Sequence, residues 1–166
     1  MKTLIIVRHA KSSWEEAGQK DIDRPLNDRG KKDAPKMAKR LYKKIKNIDL
    51  FISSPAVRAY RTAREFAEKY GVSKKDILIE KELYHSAVTK TFYKLISTVK
   101  DKKETIALFS HNPGITEFAN VLTQMHIDNM PTCGVFAVSA DIDTWKDFEN
   151  ANKTFLFFDY PKNVIA

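Results

Sequence analysis

The sequence predicts an α/β fold, a three-layer α/β/α sandwich around a mostly parallel central sheet. Three observations carry that prediction. Short apolar, β-branched runs alternate with longer stretches of helical periodicity along the chain. Several of those runs end abruptly on polar residues, the pattern of strands whose carboxyl ends face a ligand. With 166 residues, 43% hydrophobic and 30% charged, the chain suits one domain (1–166) with a sizeable core and is short for two.

Taken in order, residues 3–7 form a first strand, apolar enough to be buried on both faces. Residues 15–26 are polar, contain Gly18 and Pro25, and read as a loop. Asn27 then caps a helix in which Ala34, Met37, Ala38, Leu41, Tyr42 and Ile45 recur at helical spacing. Pro35 lies inside it, removing a backbone donor and crowding the preceding turn, so a kink or distorted first turn is expected. Residues 50–53 make a second strand. Ser54-Pro55 reads as a helix start, cap then proline, with that helix running to about Tyr70 and stopping at Gly71. Residues 77–79 make a third strand, and Val88, Phe92, Leu95, Ile96 and Val99 mark another helix. An apolar strand at 105–109 ends on Ser110-His111, and Asn112-Pro113 opens a helix carrying Ile115, Phe118, Ala119 and Leu122. Strands at 135–140 and 154–158 complete the order.

Composition narrows the function classes. Residues 29–46 hold nine Lys or Arg against one acid, Asp33, and so account for the chain's net +8. Lys32, Lys36, Lys39, Lys43 and Lys46 fall mainly opposite the apolar stripe, as on a solvated helix face. No aromatic-basic interleaving marks a nucleic-acid partner, although such charge can steer a phosphorylated one. Arg8 stops the first apolar run before a signal-peptide core can form, and no stretch is long enough to cross a bilayer. The single cysteine, Cys133, excludes an internal disulfide and gives no metal-ligand spacing, which fits a cytoplasmic location. Nothing in the pattern demands an oligomer, and a monomer is expected.

The chemistry-bearing residues follow three strands. Arg8-His9 follows the first, Arg58 lies in the first helical turn after the second, and His111 follows the strand at 105–109. If those strands are parallel neighbours, all four residues project over one sheet edge. Guanidinium groups suit phosphate oxygens, and a helix starting at Pro113 would add its positive dipole end. Neutral imidazole is a competent nucleophile toward phosphorus. One histidine would attack while the other stabilises charge on the equatorial oxygens. Spacing alone leaves Arg61 and Arg64 as alternatives to Arg58.

These residues resemble a known family. "VRHAKSS" resembles the Arg-His-Gly signature of the histidine phosphatase superfamily, which includes cofactor-dependent phosphoglycerate mutases and acid phosphatases. "RPLNDRGKKDA", "SSPAVRAYRTA" and "LFSHNPGI" resemble its next three segments in the same order, over roughly residues 3–120. Their particular forms and the short chain are most similar to the SixA-type phosphohistidine phosphatase branch. The resemblance implies a phosphoglycerate mutase-like fold, His9 as nucleophile, and Arg8, Arg58 and His111 as ligands of the phosphoryl group, with no metal or organic cofactor. It selects Arg58 over Arg61.

Departures bear on substrate. The family's glycine is Ala10 here, and Lys11 and Glu15 stand where the mutases carry Glu and Asn; Glu15 is expected to face away. "KELYHSAV" puts His85 where many members carry a Glu that protonates the leaving oxygen, so His85 is the candidate general acid. Asn112, Trp14 and Tyr84 are further candidate contacts to substrate. A phosphohistidine leaves as imidazole and demands less of an acid than an alkoxide, and the lack of long insertions suits a phosphorylated protein. The alternatives are a small-molecule phosphomonoesterase or mutase of the same superfamily, and a non-catalytic phosphate-binding module.

Overall fold

The computed structural model describes residues 1–164. Its six strands are β1 (Lys2–Arg8), β2 (Leu50–Ser53), β3 (Leu78–Ile79), β4 (Thr105–Ser110), β5 (Val135–Ala140) and β6 (Lys153–Asp159). Its α-helices are α1 (Asp28–Lys44), α2 (Val57–Lys69), α3 (Glu82–His85), α4 (Thr89–Ser97) and α5 (Gly114–Leu122). The strands form one sheet in the order β3-β2-β4-β1-β5-β6. β3, β2, β4 and β1 run parallel, and β5 runs antiparallel to both β1 and β6.

The alternation of β1 explains the layers. Leu4 and Ile6 point into a cluster with Phe92, Ile96, Ile115 and Phe118 from α4 and α5, closed by Trp145 and Phe148. Ile5 and Val7 point the other way, onto Ala34, Met37 and Leu41 of α1 and Ala63 and Phe66 of α2. Each of these larger side chains contributes about 1.5–3 kcal/mol by leaving water. Both faces of the central strands are therefore covered, which is the α/β/α sandwich the sequence predicts.

Register positions the site. Arg8 lies opposite Ser110 across the β1–β4 pair, and Ser53 lies opposite Phe109 across β2–β4. The three strands thus end at one level, and the residues that leave it are His9, Ser54 and His111. The start of β5 closes in beside them, where the Gly134 carbonyl accepts from the Arg8 amide and the His9 carbonyl from the Cys133 amide.

Two local expectations change, at the start of α2 and at β3. Helix α1 runs from Asp28 to Lys44 with Pro35 inside it, on a turn that exposes Lys31 and Lys32. Helix α2 begins at Val57 and not at Ser54-Pro55, because the Ser54 hydroxyl accepts only the Ala56 amide (3.1 Å) and is turned toward His111. The strand expected at 77–79 shrinks to Leu78–Ile79, a half-exposed edge pair. The α1 lysines opposite the apolar stripe are solvated, with Lys36 reaching the Pro161 carbonyl. No helix among the described residues is long and apolar enough to cross a membrane.

Candidate active site

A cleft of about 210 Å³ opens over the carboxyl ends of β1, β2 and β4, and Arg8, His9, Trp14, Arg24, Arg58 and His111 line it. The four residues placed together by the strand-end pattern are together here.

His9 is buried and held on all sides. Its amide donates to the Ser110 carbonyl, and the next amide, that of Ala10, donates to Thr62 Oγ1 at 2.9 Å. Thr62 in turn donates to the Arg58 carbonyl at 2.7 Å, so one hydroxyl ties the loop after β1 to α2. The His9 ring nitrogen Nδ1 sits 2.7 Å from the Ala10 carbonyl, which can only accept. Nδ1 therefore carries the proton of the neutral ring and Nε2 keeps a free lone pair. Burial pushes the His9 pKa down to about 3; the Ala10 bond opposes this, while His111, Arg58 and Arg8 add to it. An imidazole so held can act as a nucleophile at neutral pH.

His111 faces it, with ring centroids 5.2 Å apart. Its Nε2 lies 2.7 Å from Ser54 Oγ; that hydroxyl accepts the Ala56 amide, and among the described residues the ring nitrogen is the acceptor within reach of its own proton. That leaves the His111 proton on Nδ1, a buried donor with no partner. Burial, then the charge of Arg58, holds this histidine too at about 3.

The arginines are anchored by one end each. Arg8 donates from Nη1 to the Met130 carbonyl at 2.9 Å. Arg58 donates to Asp21 twice, from Nη1 to its carbonyl (2.7 Å) and from Nη2 to Oδ2 (3.0 Å). The Nε atoms of both remain buried and unpartnered, and with His111 Nδ1 they are the three buried side-chain nitrogens or oxygens without a partner among the described residues. Three orphaned donors on three lining residues are an unmet demand for an acceptor, and a tetrahedral oxyanion supplies several.

The model of the histidine phosphatase superfamily, branch 1, matches residues 4–85, which carry His9 and Arg58 in these positions. The chain belongs to the histidine phosphatase superfamily. Phosphoserine phosphatase 1 of Hydrogenobacter thermophilus is 42% identical over 84 residues, which are 48% of this chain and 39% of that protein. The chain thus matches well under two thirds of that relative's length. Among solved structures, a SixA protein from Agrobacterium tumefaciens superposes with a TM-score of 0.80 at 24% identity, covering 96% of this chain and 98% of that one. The protein histidine phosphatase SixA complexed with tungstate superposes at 0.79 with 21% identity, covering 96% and 97%. These likenesses show that the two share this superfamily member's fold.

Within the superfamily site, two other sequence-predicted residues stand differently. His85 is exposed and outside the cleft lining; Tyr84 puts its ring edge-on against both His85 (5.2 Å) and His111 (5.5 Å). As a proton donor within the cleft, His85 is not positioned by this structure. Asn112 lines the cleft, but its amide hydrogens go to Asn129 Oδ1 and the Met130 carbonyl, and its oxygen accepts from Thr116. It braces the loop before β5. Trp14 does line the cleft, as does Lys11, while Glu15 is exposed and outside it. Arg61 and Arg64 line a separate cleft at the far half of α2. Among the described residues no cluster of three His, Cys, Asp or Glu stands ready to hold a metal ion.

Sequence reasoning missed Arg24, Asp21, Ser54 and Thr62. Arg24 is buried, donates from Nη1 to Ser12 Oγ (2.7 Å) and from Nε to Asp21 Oδ1 (3.0 Å), and lies 3.4 Å over the Trp14 ring. Asp21 accepts from Arg24, Arg58 and the Tyr84 hydroxyl. Partial burial pushes its carboxyl up, but the bonds from Tyr84, Arg58 and Arg24 outweigh that and hold it at about 2. The signal was the stretch "DIDRPL": two acids just before the Arg24 that opens the family-like segment, in residues otherwise read as loop.

Proposed function

We propose that the chain is a phosphatase acting through a phosphohistidine at His9, with protein phosphohistidine as substrate. The observation that carries this is the set of three orphaned donors, Arg8 Nε, Arg58 Nε and His111 Nδ1, around the His9 imidazole. In the first step His9 Nε2 attacks phosphorus in line, the N–P bond to the substrate imidazole breaks, and that ring leaves carrying a proton taken before or during departure. The guanidinium groups and His111 Nδ1–H stabilise charge on the equatorial oxygens. In the second step water adds to phosphorus, the His9–phosphorus bond breaks, and inorganic phosphate leaves.

The acidic and histidine groups near the cleft support this substrate class. Asp21, held at about 2, is ionised at working pH and cannot donate, and His85 stands outside the cleft. A protonated phosphoramidate needs no acid from the protein, whereas an alkoxide does. The likeness to SixA, one structure of which holds the oxyanion tungstate, supports the same reading. A second reading, a phosphomonoesterase, is favoured by the 42% identical relative named phosphoserine phosphatase 1. In either case the buried thiol of Cys133 fits a reducing, cytoplasmic setting.

Labelling with a phosphoryl donor, quenched in alkaline detergent, tests the nucleophile. A base-stable, acid-labile adduct appears in the wild type and is absent from His9→Ala; label that persists in the variant refutes the assignment. A panel of phosphohistidine protein, phosphoserine and phosphoglycerates, compared by kcat/KM, separates the two substrate readings.

A further inference from the structure

Trp14 is 76% exposed although it lines the cleft, whereas the other tryptophan, Trp145, is 1% exposed in the core. The indole is not loosely placed at its base. The segment before it runs antiparallel to the start of the α1 approach, through the Ser12–Leu26 bridge, the Ser13 amide to the Pro25 carbonyl (2.8 Å) and the Asn27 amide to the Lys11 carbonyl (3.0 Å). One face of the ring is covered by the Arg24 guanidinium at 3.4 Å, and Arg24 is itself buried and bonded to Ser12 and Asp21. The other face is open beside the cleft. At the mouth of a polar cleft that open face offers a flat apolar surface on which a ring-bearing ligand can stack.

We propose that Trp14 is a specificity-determining residue whose open indole face stacks on the planar ring of the group that carries the phosphoryl. This rests on the reading that the cleft takes a phosphoryl group, and it adds a preference for ring-bearing carriers, imidazole or aryl, over aliphatic ones. Arg24 fixes the plane of the indole from behind, so little side-chain freedom is lost when a ring arrives. Stacking of one flat ring on an exposed indole changes affinity by roughly tenfold.

Binding of two non-hydrolysable probes, phenylphosphonate and methylphosphonate, to the wild type, Trp14→Ala and Trp14→Phe tests this by calorimetry. The wild type binds the phenyl compound roughly tenfold more tightly, Trp14→Phe keeps most of that ratio, and Trp14→Ala brings it near one. Phenylphosphonate also changes the tryptophan emission of the wild type and not that of Trp14→Phe, since Trp145 is shielded in the core. An absent ring preference in the wild type overturns the proposal, as does a preference that survives Trp14→Ala. Equal weakening of both probes in Trp14→Ala also overturns it, leaving Trp14 as support for Arg24 alone. Failure of both probes to bind refutes the anion site and this inference together. A ring preference without turnover refutes only the phosphatase reading.

Discussion

Asp21 grips Arg58 at two points, its main-chain carbonyl taking Nη1 and its carboxylate taking Nη2. Two parallel bonds fix the plane of a guanidinium in a way that one cannot. Because the same carboxylate also accepts from Arg24, a single exposed acid orients two of the cationic groups of the cleft.

Asp21→Asn keeps the size and the main-chain contact but removes the charge-assisted bonds. The expected result is a fall in kcat of about tenfold to a hundredfold, as misplacement of transition-state contacts produces. Inhibition by inorganic phosphate should hold or tighten, because the cleft becomes one charge more positive. Asp21→Glu should recover part of kcat. Steady-state kinetics with phosphate as competitive inhibitor checks all three.

The histidines give a pH signature. A neutral imidazole with pKa about 3 stays unprotonated as pH falls through the ordinary value near ~6.5. Formation of the His9 adduct, measured by rapid quench at fixed substrate ionisation, should therefore persist at pH 5. An acid limb centred near ~6.5 would contradict the burial argument.

Stability should follow the opposite course. The unfolded chain takes up protons at both histidines near ~6.5 while the folded one refuses them until about 3, so the unfolded state binds more protons across that window. Folding stability then rises with pH through the window and is lost on acidification. The slope reaches at most about 1.4 kcal/mol per pH unit for each histidine. Urea melts from pH 4.5 to 7.5 on the wild type and on His9→Gln/His111→Gln, which should flatten the profile, check the sign.

Gly30 shows why a small residue sits in the first turn of α1. A Cβ there would lie 2.1 Å from the main-chain oxygen of Lys11, two residues after His9. Gly30→Ala should cost about 1–3 kcal/mol by forcing backbone apart. It should reduce activity more than the stability loss accounts for, because the displaced segment carries the loop beside His9. Chemical denaturation alongside kinetics at full folding separates the two effects.

Thr62 gives a complementary test. Thr62→Val preserves shape but strands the buried Ala10 amide, at a cost of about 1–3 kcal/mol, whereas Thr62→Ser keeps the bond. Adduct formation should fall in the valine variant and recover in the serine one.

The elements with a strong period were legible: β1, β4 and β5 as apolar runs, α1 and α5 as amphipathic helices. Arg8, His9, Arg58 and His111 were legible because each immediately follows a buried strand or opens the next helix. What escaped was set by tertiary contact. Ser54 was read as a helix cap because its sequence context matches one, yet His111, far along the chain, claims the hydroxyl. Asp21 opens a one-turn 3-10 segment too short to show any period, and Arg24 follows its end. His85 followed from alignment of a motif, but the single turn of α3 directs Leu83 into the core and leaves His85 in solvent.

The bonds that assemble the cleft join residues 37, 52, 57 and 122 positions apart: Asp21 to Arg58, Ala10 to Thr62, Ser54 to His111 and Arg8 to Met130. None of them can form within a local segment, and each requires closure of a long loop. The cleft therefore exists only where segments from Arg8 to Met130 have been brought together. A chain cut after residue 85 would keep His9, Arg8 and Arg58 in sequence yet lose His111, Met130 and the strand β4 that lies between β1 and β2.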